Sequence, residues 1–166
     1  MDYRANVGIA VFNRMGLVFA GKCFSCGPEI VSPGFEWQMP QGGIQLGEDI
    51  EAAARRELFE ETSIRSVALL AILSEPLAYD FPPYSGPPHR LAAYCGQTQR
   101  WAAFRFEGAD EEINIHTPSG QEAPEFLDWR WCNLQDLPQR VVIYKRAVYE
   151  KVARAFSAYS HALKSG

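Results

Sequence analysis

Residues 6–12 (Asn-Val-Gly-Ile-Ala-Val-Phe) form a short apolar, β-rich run. After the polar break Asn13-Arg14-Met15-Gly16, a second run covers residues 17–20. Two such runs around a four-residue turn predict a β-hairpin. Residues 23–36 are rich in Cys, Ser, Gly and Pro and predict a loop. Over residues 49–62 the period changes: Ile50, Ala53, Ala54 and Leu58 recur at helical spacing, and the opposite side is almost wholly charged. Residues 64–73, with Val67, Leu69, Leu70 and Ile72, read as a strand. A stretch with five prolines between Pro76 and Pro88 reads as loop. Residues 101–106 and 126–132 alternate as strands on either side of a polar loop over 107–125. From about 140 to 163, Val141, Tyr144, Val148, Val152, Ala155 and Tyr159 recur at helical spacing and predict a closing helix. Strands before and after an isolated helix, with a second helix at the end, predict an α/β class domain, a sandwich around a mixed sheet.

The chain has 166 residues, 47% of them hydrophobic. That is enough for one core and too little for two, so a single domain over 1–166 is expected. The formal charge of −4 provides no global basic footprint, which argues against duplex DNA as a partner. A phosphate-bearing ligand has to be met locally, by a metal or a small basic cluster. No stretch approaches the roughly 18 apolar residues of a membrane span, and residues 1–6 lack the pattern of a signal peptide. A cytoplasmic protein without membrane association is therefore expected. Cys23 and Cys26 have C-x-x-C spacing, but no second such pair completes a zinc set with Cys95 and Cys132. Reduced thiols are the expectation.

The chemistry concentrates in the stretch from Gly42 to Ile64. On a helix, Glu57 lies three and four residues before Glu60 and Glu61, so three carboxylates share one face. Like charges at that spacing repel. A solvated surface helix carries such a face without consequence, whereas a hard cation would neutralise it, taking carboxylate oxygens and keeping positions for water and phosphate. The flanking residues favour the cation. The string matches G-x5-E-x7-R-E-U-x-E-E-x-G-U (U aliphatic) at Gly42, Glu48, Arg56, Glu57, Leu58, Glu60, Glu61 and Ile64, and departs only at Ser63. With eight of nine specified positions in place, the chain resembles the Nudix hydrolase superfamily.

That resemblance implies the Nudix fold, an α/β/α sandwich with a mixed sheet, in which the box forms loop, helix and loop. It implies Glu57, Glu60 and Glu61 as metal ligands, a backbone carbonyl from the Gly42 region, and Arg56 tying a carboxylate such as Glu48 in place. The implied cofactor is Mg²⁺, with Mn²⁺ able to substitute, and the implied reaction is hydrolysis of a phosphoanhydride without a Ser or Cys nucleophile. Ser63 falls where glycine commonly supplies a left-handed helix end.

Further segments are similar to the branch of RNA pyrophosphohydrolases and diadenosine tetraphosphate hydrolases: residues 3–9, 37–44, 96–101, 124–126 and 144–149. By that similarity Glu125 is a further carboxylate at the metal cluster and a candidate base. Arg4 and Lys145 are implied phosphate contacts, and Arg100 stands where the branch more usually has lysine. Tyr79 and Tyr144 either stack on a base or pack the core. His89, His116 and His161 receive no role. RNA-processing members commonly carry paired basic residues near position 22; here Lys22 is followed by Cys23, which lacks a charge and a stacking plane. The expected substrates are 5′-triphosphorylated RNA ends or dinucleoside polyphosphates. Hydrolysis of mononucleotides or ADP-ribose, and a catalytically silent binding domain, are the alternatives. The sequence sets no oligomeric state.

Overall fold

Eleven residues of unbroken strand at the N-terminus, β1 (Asp2–Phe12), form the axis of the molecule. The computed structural model describes residues 2–116 and 123–163; residues 117–122 of the polar loop over 107–125 lie outside them. β1 is followed by β2 (Val18–Lys22), β3 (Trp37–Gln38), β4 (Gln41–Gly43), α1 (Ile50–Thr62), β5 (Val67–Ile72), β6 (Leu77–Asp80), β7 (Tyr94–Phe106), β8 (Asp128–Cys132) and α2 (Arg146–Ala155). These strands form one mixed sheet with the central order β3-β2-β1-β7-β5. β4 adds to β1, β6 to β7 and β8 to β2. β1 and β7 pair in parallel along their lengths, and the other ladders are antiparallel.

Strand alternation divides the core into two layers. Val7, Ile9 and Val11 face α1, meeting Ala53, Ala54 and Leu58 together with Phe104. Ala10 and Phe12 face the other way, against Val148, Tyr149, Val152 and Phe156. Burying each larger apolar side chain contributes about 1.5–3 kcal/mol, so the sandwich rests on these two contacts. Tyr149 also accepts a hydrogen bond from the Met39 amide at 2.8 Å and meets Trp101 edge-on. That contact fixes the segment leading into β4.

Three expectations are corrected. β6 lies inside the stretch read as Pro-rich loop. β7 begins seven residues before the expected strand. Of the closing helix expected over about 140–163, only Arg146–Ala155 is α-helical, with 3₁₀ turns at Ile143–Lys145 before it and Ser157–Tyr159 after it. Val141 and Tyr144 share its apolar spacing but precede its α-helical part. The hairpin is present with its turn, Asn13 N–H to Leu17 carbonyl at 2.8 Å. Its strands then diverge, because β2 pairs with β8 over all five residues and with β1 only at Phe12–Val18.

Candidate active site

α1 begins with Asp49, whose side chain accepts from the Ala52 amide at 2.7 Å, a cap that satisfies one of the free donors of the first turn. It ends at Ser63, which adopts the left-handed conformation (φ 65°) expected of the missing glycine. Ser63 Oγ also donates to the Asn114 carbonyl at 3.1 Å. Between these caps, Arg56 organises the charged face. Its Nε and one terminal nitrogen grip both oxygens of Glu48 at 2.8 and 2.9 Å. The latter nitrogen also donates to the Gly43 carbonyl at 2.8 Å, while the other reaches Glu57 at 2.8 Å and Glu60 at 3.3 Å. The fork of Arg56 holds Glu48 well below the usual carboxylate range, at about 2. The sequence assignment of Arg56 as the tie on Glu48 matches this geometry.

Glu61 is the exceptional carboxylate. It is buried, and burial, then the charges of Glu125 and Glu57, push its pKa well above the ordinary value. Among the described residues its Oε2 is a buried oxygen without a hydrogen-bond partner. Burial also raises Glu57, against the pull of Arg56. Glu125 is exposed as a residue, yet desolvation of its carboxyl, followed by the Glu29 charge, raises it too. Carboxylates raised together, with one oxygen orphaned, make a donor set suited to a hard dication. Among the described residues no three ligating side chains already converge into a chelate, and Arg56 engages oxygens of Glu57 and Glu60.

These groups line a cleft of about 330 Å³. Its floor is α1 and β4, where Gly42 allows the close approach of Glu57: a Cβ there would lie 2.0 Å from the Glu57 carboxyl carbon. A Cβ on Gly43 would lie 2.2 Å from the Arg4 guanidinium. The walls carry Arg4, Arg90, Glu29, Glu125, Cys23, Phe24 and Cys26. The loop bearing Arg90 docks on the opposite loop through His89, whose ring lies against Gly27 and whose Nε2 is 3.3 Å from Cys26 Sγ.

Gly42, Glu57, Glu60, Glu61, Glu125 and Arg4 thus come together as the sequence indicates. Four expected substrate contacts do not line the cleft. Lys145 is buried and ion-paired with Glu29 at 2.5 Å, so its charge is already neutralised; burial pushes the ammonium down, but Glu29 beside it gives a net rise. Tyr79 is 5% exposed and gives its hydroxyl to Glu29, while its ring packs against Tyr144 and Phe81. Tyr144 donates to the Ile30 carbonyl at 3.0 Å. Arg100 donates its Nε to the Leu73 carbonyl at 3.1 Å.

Sequence reasoning missed the polar network that enters the cleft wall, Glu29, Gln41, Gln97 and Asn6, with Gln99 behind it. Glu29 lay in a stretch read only as loop. The one available signal was Gln97 and Gln99 at strand period just before Trp101, two polar residues that fold inward together.

A NUDIX domain family model matches residues 2–152. The RNA pyrophosphohydrolase of Afipia carboxidovorans is 46% identical over 160 residues, 96% of this chain and 95% of that protein. The protein of the same name from Rhodopseudomonas palustris (strain BisA53) is 48% identical over 158 residues, 95% and 89% of the two chains. Among solved structures, the C. elegans Ap4A hydrolase superposes with a TM-score of 0.59 over 95% of this chain and 98% of its own, at 18% identity, a likeness of fold. With the family model spanning β1 to α2 and the box residues of α1 lining one cleft, the chain belongs to the NUDIX domain family.

Proposed function

We propose that the cleft hydrolyses a phosphoanhydride bond in a nucleoside polyphosphate, the substrates being 5′-triphosphorylated RNA ends, with release of pyrophosphate, and dinucleoside polyphosphates such as diadenosine tetraphosphate. The single observation that carries this reading is the orphaned, buried oxygen of Glu61 at the centre of a carboxylate group bordered by guanidiniums. Nudix hydrolases generally depend on a divalent cation. Here Glu57, Glu60, Glu61 and Glu125, with the Gly42 backbone, are the residues that would hold Mg²⁺, and Mn²⁺ would substitute. A bound dication supplies water activation and neutralisation of phosphate charge.

The chain's own residues do the rest. Arg4 and Arg90 neutralise phosphate oxygens from the walls. Glu125, with its raised pKa, accepts the proton of the attacking water as the new P–O bond forms and the anhydride P–O bond breaks. Phe24, 44% exposed on the same wall, offers a ring to a base. The names of the bacterial relatives favour RNA ends, and the fold likeness to an Ap4A hydrolase keeps the second substrate in view. No helix among the described residues is long and apolar enough to cross a membrane; a cytoplasmic setting is the one in which both substrates occur.

The test is parallel hydrolysis of triphosphorylated RNA and diadenosine tetraphosphate with Mg²⁺, products identified by mass, for the parent and for Glu60→Gln and Glu61→Gln. Both variants should lose on the order of a hundredfold or more in turnover while remaining folded, since an amide is a poor ligand for a hard dication. Near-normal turnover in either, at saturating Mg²⁺, overturns the assignment.

A further inference from the structure

Glu29 reaches from the loop after β2 into the sheet, where donors surround its carboxylate. Oε2 receives Lys145 at 2.5 Å. Oε1 receives the Gln97 amide at 2.7 Å, the Tyr79 hydroxyl at 2.9 Å and the Gln41 amide at 3.1 Å. Beyond Gln97 the bonds continue in one direction. Gln97 Oε1 accepts from Asn6 at 2.7 Å and from the Arg4 guanidinium at 3.2 Å; Asn6 Oδ1 accepts from Gln99 at 2.9 Å; and Gln99 Oε1 accepts from the Trp101 indole at 3.1 Å.

An amide can usually be turned over, exchanging its donor for its acceptor. Here both ends of the chain of amides are chemically fixed. Trp101 Nε1 and Arg4 can only donate, and an ionised Glu29 can only accept. Glu29 at one end and Trp101 at the other therefore set Gln97 in the same sense, Glu29 by a direct bond of 2.7 Å, and Gln97 so held presents its oxygen to Arg4. We infer that Glu29 is a positioning residue: through Gln97 it aims the Arg4 guanidinium into the cleft for a substrate phosphate, with Lys145 as its buried counter-charge. This rests on the reading of Arg4 as a phosphate contact, and it gives Lys145 a role behind the wall.

Removing Glu29 alone strands a buried ammonium, so the informative variant is Glu29→Gln/Lys145→Met, which removes the charge pair together. Gln97→Met cuts the relay and keeps the pair. Steady-state kinetics on triphosphorylated RNA and diadenosine tetraphosphate should show KM raised about tenfold in each, the loss of roughly one charge-assisted hydrogen bond, with kcat within about twofold. In the Gln97→Met background the Glu29→Gln/Lys145→Met change should add nothing further to KM, because both act through one link. A structural defect alone would lower the melting temperature and the active fraction, and hence the apparent kcat, without that KM pattern or its non-additivity. Arg4→Ala separates the two readings. An unchanged KM there overturns the phosphate contact itself. A raised KM in Arg4→Ala with unchanged KM in Gln97→Met overturns the positioning role alone.

Discussion

At the scale of single residues, the carboxyl of Glu61 sets function against stability. Among the described residues its Oε2 is buried without a partner, and Glu57 and Glu125 repel its charge, so the metal-free fold carries a penalty there. Glu61→Gln should raise the stability of the metal-free protein by about 1–2 kcal/mol while abolishing activity, as read by thermal melts in EDTA. A lower melting temperature would contradict the burial argument. Mg²⁺ should raise the parent's melting temperature, because a ligand that binds only the folded state stabilises it, and the variant should lose most of that shift. Ser63 illustrates a local substitution of chemistry. A positive φ costs a non-glycine residue on the order of 1 kcal/mol, and its Oγ bond to the Asn114 carbonyl returns a similar amount. Ser63→Ala, which keeps the strain and loses the bond, should therefore destabilise by about 1 kcal/mol, whereas Ser63→Gly should be close to neutral in chemical denaturation.

Among the elements, α1 is held to the loop before it by the Arg56–Glu48 fork, and that anchoring has a defined pH window. The folded pKa of Glu48, about 2, lies below the roughly 4.3 of an unfolded glutamate. Its contribution is full above the unfolded value and is lost as pH falls towards the folded one. Acid titration of the parent should therefore show steeper loss of helical signal between about pH 4.5 and 2 than titration of Glu48→Gln. The same helix was the most legible part of the sequence, since its period and its box residues agree. β7 was half legible: from Trp101 onward it alternates apolar residues, but its first half buries Gln97 and Gln99 in a polar network, which hydropathy reads as surface. β6 alternates buried Leu77 and Tyr79 with exposed Ala78 and Asp80, a signal overridden by the prolines beside it. The closing helix was overextended because the apolar spacing continues through turns that are 3₁₀. At the site, the acidic box was readable from a contiguous motif, and Arg4 from the branch similarity of residues 3–9. The Glu29–Lys145 pair joins residues 116 positions apart in sequence, with nothing local to announce it.

For the whole molecule, the two loops that meet at His89 and Cys26 form a rim of the cleft. Cys23 is 8% exposed and donates its thiol to the Glu36 carbonyl, so it offers the substrate neither charge nor ring, while Phe24 beside it stands open on the wall. Phe24→Ala should lower kcat/KM for triphosphorylated RNA by about tenfold or more, in line with roughly 1–3 kcal/mol for one base stacked on an aromatic ring. The effect on diadenosine tetraphosphate should be smaller if that substrate is held mainly through its phosphates. Cys23→Arg should shift the ratio of the two specificity constants towards RNA, and an unchanged ratio would remove the rim from substrate choice. The parallel ladder of β1 with β7 at the centre of the sheet has a consequence for synthesis. It joins residues such as Arg4 and Gln97, 93 positions apart, and so lies among the contacts that close slowly in folding. At roughly 5–20 residues per second, a chain leaving the ribosome holds the completed acidic box for several seconds before the last residue of β7 is made. Over that interval the glutamates of α1 repel one another without the completed sheet to pack against, so the segment with the plainest signature in the sequence waits on distant residues for its packing.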